Sequence, residues 1–203
     1  MGARGNPKGN EASDRARAAP PTAALKALAR PSNAKGLTQL AGHLGLLGLT
    51  GGLVLTFRNT WGLLPALIAH GVVLVFLFAP LHETIHRTAF RSRRLNDAVA
   101  LACGFLLLLP AGYFRAFHLQ HHRFTQDPAR DPELAGPPLS GRGGFLRHIS
   151  GLPYWGERIT TLCRHALGRV EEEFIAARQR PAIVREARLH LAAYGLAAAA
   201  SLA

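Results

Sequence analysis

Cysteine is nearly absent. Cys103 and Cys163 stand in unrelated surroundings and form no CxxC pair. A disulfide framework and a zinc ribbon are thereby excluded, and both thiols read as packing residues. The first 36 residues hold no apolar stretch long enough for the core of a secretory signal peptide. Acidic side chains are scarce, 12 against 24 basic ones, which leaves a formal charge of +12. Lysine is scarcer still, at Lys8, Lys26 and Lys35, so the positive charge is almost all arginine. That preference reads as the coding composition of a GC-rich bacterial source. No internal repeat is found.

What the chain does have is apolar sequence in long blocks. A basic chain can bind nucleic acid. Here, however, the charges flank apolar runs, which is the pattern of cytoplasmic loops in a membrane protein, and no nucleic-acid partner is expected. Leu37–Phe57 carries no formal charge. As a helix it would reach roughly 31 Å, enough to span the hydrocarbon of a bilayer. Its glycines include the pair Gly48 and Gly52 at GxxxG spacing, which lets membrane helices approach closely. His43, within this run, reads as a packed or interfacial side chain. Arg58-Asn59-Thr60 is a tight connection, Trp61 sits where an interfacial anchor belongs, and Trp61–Leu81 is a second span. Residues 37–81 therefore read as a transmembrane hairpin.

The remaining blocks are less regular. His82–Asp97 is polar. Ala98–Phe114 is apolar but short for a span and broken by Pro110 and Gly112. Residues 115–188 are polar, with a Gly- and Pro-rich loop at Gly136–Gly144. Ile159, Leu162, Cys163, Ala166, Leu167, Val170 and Phe174 recur there at helical spacing, with Arg158, Arg164 and Arg169 off the stripe. This predicts an amphipathic helix lying on the bilayer or packed on a neighbour. Leu189–Ala203 reads as the beginning of a further span. The expected fold class is all-α: a polytopic helical membrane protein with a transmembrane hairpin, a short re-entrant or surface helix, and cytoplasmic helices. Residues 1–36 form a basic disordered tail, with a short helix near Ala23–Leu28, and residues 37–203 form the membrane domain. Basic residues number seven in 1–36, one in 58–60, four in 82–97 and twelve in 115–188. The positive-inside rule then places the N-terminus and both long polar segments in the cytoplasm, for an integral protein of a bacterial inner membrane.

Five of the ten histidines fall in two short clusters. His82-Glu83-Thr84-Ile85-His86 is HxxxH, and residues four apart share a helix face. His118-Leu119-Gln120-His121-His122 is HxxHH, again one face. Each cluster lies just outside an apolar run, and clustered imidazoles are poor core residues, so the pair predicts a metal site. If both clusters serve one centre, they lie on one side of the membrane. The run Ala98–Phe114 between them must then dip in and return, or lie along the surface. His148, His165 and His190 are isolated and read as surface residues. A rival reading takes His82-Glu83-xx-His86 as HExxH, the motif of zinc metalloproteases, in which two histidines bind zinc and the glutamate activates water. That reading leaves the second cluster unexplained.

The two clusters, with the extension Arg123-Phe124-Thr125-Gln126-Asp127-Pro128-Ala129-Arg130-Asp131-Pro132-Glu133-Leu134, resemble the histidine boxes of the membrane fatty-acid desaturase superfamily. The resemblance covers about residues 37–203. It implies a lipid acyl substrate, O2, and two non-haem iron ions held almost entirely by histidines. It also implies two electrons from a ferredoxin, rubredoxin or cytochrome, and abstraction of hydrogen from an unactivated C–H bond. Neutral nitrogen donors suit iron. By this resemblance His82, His86, His118, His121 and His122 are the metal ligands. Glu83, Asp127 and Asp131 stand where carboxylates could orient them, although either aspartate could equally cap a helix or pair with Arg123 or Arg130. The superfamily's third box, (H/Q)xxHH, is not found, so the chain is expected to be an N-terminal fragment whose bound metal is weak or mononuclear. An inactive remnant of such an enzyme is the third reading.

Overall fold

The structure, a computed structural model, describes residues 30–136 and 140–202 together with Thr22 and Leu25. The chain separates into two units, Met1–Pro31 and Ser32–Ala203. Most of the basic tail, including the helix expected near Ala23–Leu28, lies outside the described residues. Among the described residues every regular element is helical.

Helix α1 spans Asn33–Phe57. It starts four residues before the apolar run because Ser32, in extended conformation, caps it by accepting from the Lys35 N–H. Helix α2 spans Leu63–Val75 and α3 spans Phe78–His86. The two are near-continuous, and Leu63–His86 and Asn33–Phe57 are each long and apolar enough to cross a membrane. Their exposed side chains agree: Leu49, Leu55, Leu64 and Ile68 are each at least 60 % exposed, an apolar surface of the kind that meets lipid or another protein. Trp61 stands fully exposed at the turn.

Two side-chain hydrogen bonds join α1 to α2. His43 Nε2 donates to the Val73 carbonyl at 3.0 Å, and His70 Nδ1 lies 2.9 Å from Thr50 Oγ1. His43 is thus packed, as its position in the run suggested. The GxxxG expectation fails. Gly48 and Gly52 face open space, and it is Gly51 that meets the His70 ring, at 3.5 Å. With His43 and Thr50 carrying the contact, the helix is rotated away from its GxxxG face.

Helix α3 stops because Arg87 turns left-handed, at φ 62°, and its carbonyls are closed by Arg87 N–H to Thr84 and Thr88 N–H to Glu83. The next turn is built on Asn96, which is buried. Its side chain donates to the carbonyls of Phe90, at 2.7 Å, and Ser92, at 2.9 Å, and accepts from the Phe90 N–H. Asn96→Ala should therefore lower stability by about 2–3 kcal/mol, because Phe90 would be left with an unpaired buried amide. A thermal melt of the detergent-solubilised protein reads this directly.

Helix α4, Arg93–Leu106, and helix α5, Ala111–Phe124, divide the third apolar run between them and meet at an angle of 99°. The corner is tight. Leu108 adopts φ 52°, Leu109 N–H bonds back to the Gly104 carbonyl at 2.8 Å, and Pro110 opens α5. A Cβ on Gly104 would sit 2.5 Å from the Leu109 carbonyl oxygen, so only glycine permits the corner. The core gathers under it, with Leu77, Leu81 and Ile85 meeting Val99, Cys103 and Phe114.

Helices α6 (Gly141–Ile149), α7 (Leu152–Ala166) and α8 (Arg180–Leu202) complete the chain. The apolar stripe expected over 159–174 is helical only as far as Ala166. Gly168, at φ 85°, ends the helix, and Val170 and Ile175 reach the core from an irregular segment. Cys163 is exposed, against expectation, whereas Cys103 is buried in the core. The apolar run from Leu189 is the second half of α8, whose first half carries Arg180, Arg185, Glu186 and Arg188.

Candidate metal centre

The first histidine box occupies the last turns of α3 and the second the last turns of α5. In each, the four-residue spacing puts His82 over His86 and His118 over His122. The 99° corner swings α5 back across α3, so the two pairs face one another. His82, His86, His118 and His122 each offer a ring nitrogen within 4.8 Å of the others. His118 is the hub, buried, with ring centroids 4.5 Å from His82, 5.1 Å from His86 and 4.4 Å from His122. Phe114 stacks on its other face at 5.3 Å, and Phe78 closes the wall behind Phe114.

His121 is not part of this foursome. Its ring points to the extension of the second box, where Nδ1 donates to Asp131 at 3.0 Å. Asp131 is buried and fully used. It also accepts from the N–H groups of Gln126 and Glu133, capping the short 3-10 turn Pro132–Leu134. The other two carboxylates behave differently. Asp127 accepts from the Ala129 N–H and pairs with Arg130 at 2.6 Å, holding the turn. Glu83 accepts the Thr88 hydroxyl at 2.6 Å and comes within 3.4 Å of His82 Nδ1.

Two further residues at the site escape a reading by spacing. Glu133 brings Oε2 within 3.4 Å of His121 Nδ1 and Oε1 within 3.9 Å of His118 Nδ1. Arg115 donates to the Ile85 carbonyl, tying α5 to the end of α3 beside His86. The only sequence signal for Glu133 is its place two residues after Asp131, which the 3-10 turn converts into a shared orientation. The histidines expected at the surface divide. His148 is exposed. His165 is buried and bonded to Glu172 at 3.0 Å, and His190 is buried against Phe105. Both are covered because α7 and α8 pack on the α4–α5 corner.

The donor set fits a metal ion. His86 Nε2 and both nitrogens of His118 are buried without a hydrogen-bond partner. Unpaired buried donors and acceptors are expensive, and an ion would take the lone pair of one nitrogen on each of these two rings. Burial, reinforced by the neighbouring imidazoles, pushes His118 down to about 4. It is therefore a neutral donor at physiological pH, as metal ligation requires. Among the described residues this is the one grouping of metal-ligand type.

A family model described as Fatty acid desaturase matches residues 59–203. No curated protein and no solved structure matches the chain.

Proposed function

This chain belongs to the fatty acid desaturase family, and from that premise we propose that it is a membrane-embedded, O2-dependent di-iron oxidoreductase that abstracts hydrogen from a lipid acyl chain. The observation that carries the reading is the convergence of four imidazoles, two from each box, on one point. His82, His86, His118 and His122 would hold metal there, and His121 would join them through Nε2, its Nδ1–H being committed to Asp131. When bound, iron would supply O2 activation and electron transfer, chemistry that a neutral nitrogen donor set supports.

The chain's own residues account for the rest. Phe78 and Phe114 wall the cluster with apolar surface and keep bulk water from its α5 side. The exposed apolar surfaces of α1 and α2 support a bilayer setting, in which an acyl substrate would dissolve. We place the boxes and the N-terminus on the cytoplasmic side of a bacterial inner membrane, on the arginine distribution. There a ferredoxin, rubredoxin or cytochrome would deliver electrons. The run between the boxes then enters and leaves on one side, a role for which its 99° corner is suited.

The metalloprotease reading finds less support, since a zinc protease needs one ligand beyond His82 and His86 whereas the second box brings two, and Glu83 is engaged by the Thr88 hydroxyl at 2.6 Å. Metal analysis decides between them. Protein purified without chelator should carry iron, and stoichiometric zinc in its place would overturn the proposal. Glu83→Gln should leave the iron content unchanged.

Asp131 gives a finer test. Asp131→Asn should weaken metal binding by about 10–100-fold, because a neutral amide sets an NH2 group against one of its three donors and removes the charge that polarises His121. Asp127→Asn, at the outer turn, should leave it within about twofold, the range expected of a surface change. Equal effects in a metal titration would remove His121 from the ligand set.

A further inference from the structure

Helix α5 carries the second histidine box, yet nothing in its own sequence caps its start. Its N-cap is Pro110, which has no side-chain acceptor to offer the first N–H groups. The acceptor comes instead from 74 residues further along the chain. Glu186 of α8 reaches into the corner and takes the Gly112 N–H on Oε2 at 2.9 Å. The fit is close, since a Cβ on Gly112 would lie 2.6 Å from that oxygen. Its other oxygen, Oε1, is buried with no hydrogen-bond partner. Burial pushes the carboxyl up, and the bond from Gly112 draws it partly back.

A second strut stands two turns further along α8. Tyr194 donates its hydroxyl to the Phe105 carbonyl at the end of α4, at 2.5 Å, and stacks on the Phe105 ring at 4.5 Å. Alongside the two struts, Ile183, Ala187 and His190 are buried on α8. So α8 grips the corner on both sides: Tyr194 holds the last turn of α4 and Glu186 the first turn of α5. These ends meet at 99°, and that angle sets where His118 and His122 fall relative to His82 and His86.

We propose that Glu186, with Tyr194, is a positioning residue for the metal site: it fixes the start of α5 and thereby the seat of the second histidine box. The proposal rests on the reading of the histidine cluster as a metal centre. A group there for packing alone would not carry a buried, half-satisfied carboxylate, which costs stability. What the arrangement gains is a capped helix aimed in one direction.

The test is titration of the full-length, metal-free protein in detergent with Co2+ alone, read by its visible absorption, with circular dichroism on the same samples. Glu186→Ala should weaken Co2+ binding by about tenfold, the lower range for residues that orient ligands, and should alter the absorption envelope. Glu186→Gln should restore most of the affinity, because an amide oxygen also accepts from Gly112. Glu173→Ala, an exposed carboxylate on the preceding segment, should change neither. A purely structural role would lower the melting temperature and leave affinity and spectrum of the folded protein as they were. That result overturns the proposal, as does a Glu186→Gln variant as weak as Glu186→Ala. If Glu186→Ala does not fold, Tyr194→Phe carries the test: it removes only the hydroxyl strut, and unchanged affinity and spectrum would refute the clamp. If the unsubstituted protein takes up no Co2+, the metal reading fails and the positioning role falls with it. Uptake that is indifferent to Glu186 refutes the positioning role and leaves the metal reading standing.

Discussion

Replacing His118 with leucine should abolish metal binding while leaving the metal-free protein at least as stable as before. The two halves of this expectation have one cause. His118 is the hub of the cluster, within about 5 Å, ring to ring, of His82, His86 and His122. Both its nitrogens are buried and unpaired. Without a metal they are a liability of about 1–3 kcal/mol, which an apolar side chain of similar volume removes. With a metal, the central donor is the one whose loss the others cannot replace, and affinity should fall by more than about 100-fold, beyond the range for residues that merely orient ligands. The measurement is a pair of thermal melts, with and without added Fe2+ under anaerobic conditions. The unsubstituted protein should gain about 2.7 kcal/mol at a hundredfold excess over its dissociation constant. His118→Leu should gain nothing. A variant that is still stabilised by Fe2+ would show that His118 is not a ligand.

The second large effect is expected at Gly104, far from any ligand in sequence. A side chain there meets the Leu109 carbonyl at 2.5 Å and the Ala111 nitrogen at 3.1 Å, both backbone atoms that no rotamer change can move. Gly104→Val must open the α4–α5 corner. We expect a loss of about 3 kcal/mol, at the upper end for overpacking, because two helices shift rather than one side chain. Metal content should collapse in parallel, since α5 moves with the corner. Gly48→Ala is the control. Its Cβ enters open space on α1, so the melting temperature should hold or rise slightly. If Gly104→Val keeps full metal content, the corner does not govern the site.

How much of this was legible in the sequence depends on range. The boxes were legible because four-residue spacing on a helix is a local rule, and His82–His86 and His118–His122 obey it. The two candidate spans of the hairpin were legible from uninterrupted apolar length, as was the need for the run between the boxes to bend. Errors began where contacts come from afar. His165 and His190 look like surface residues because each stands apart from the two boxes, and the partners that cover them, Tyr113 and Phe105, are far off in sequence. The stripe over 159–174 predicts one helix, since periodicity is blind to a single left-handed glycine, and Gly168 ends it. Gly48 and Gly52 match a packing motif, but two polar bonds at His43 and Thr50 outweigh it. His121 shares the spacing of its box yet turns aside, because Asp131, ten residues on, claims its Nδ1.

One consequence of the placement of the boxes concerns the backbone itself. Both lie in the closing turns of their helices, so α3 and α5 each point their carboxyl-terminal ends toward the histidine cluster. A helix carries the equivalent of about half a negative charge at that end. Two such ends directed at one place make a region of negative potential that exists before any side chain is counted. A divalent cation is attracted to it, and a proton on any of the imidazoles would be too. The peptide backbone thus supplies part of the charge balance that an all-imidazole ligand set, being neutral, cannot.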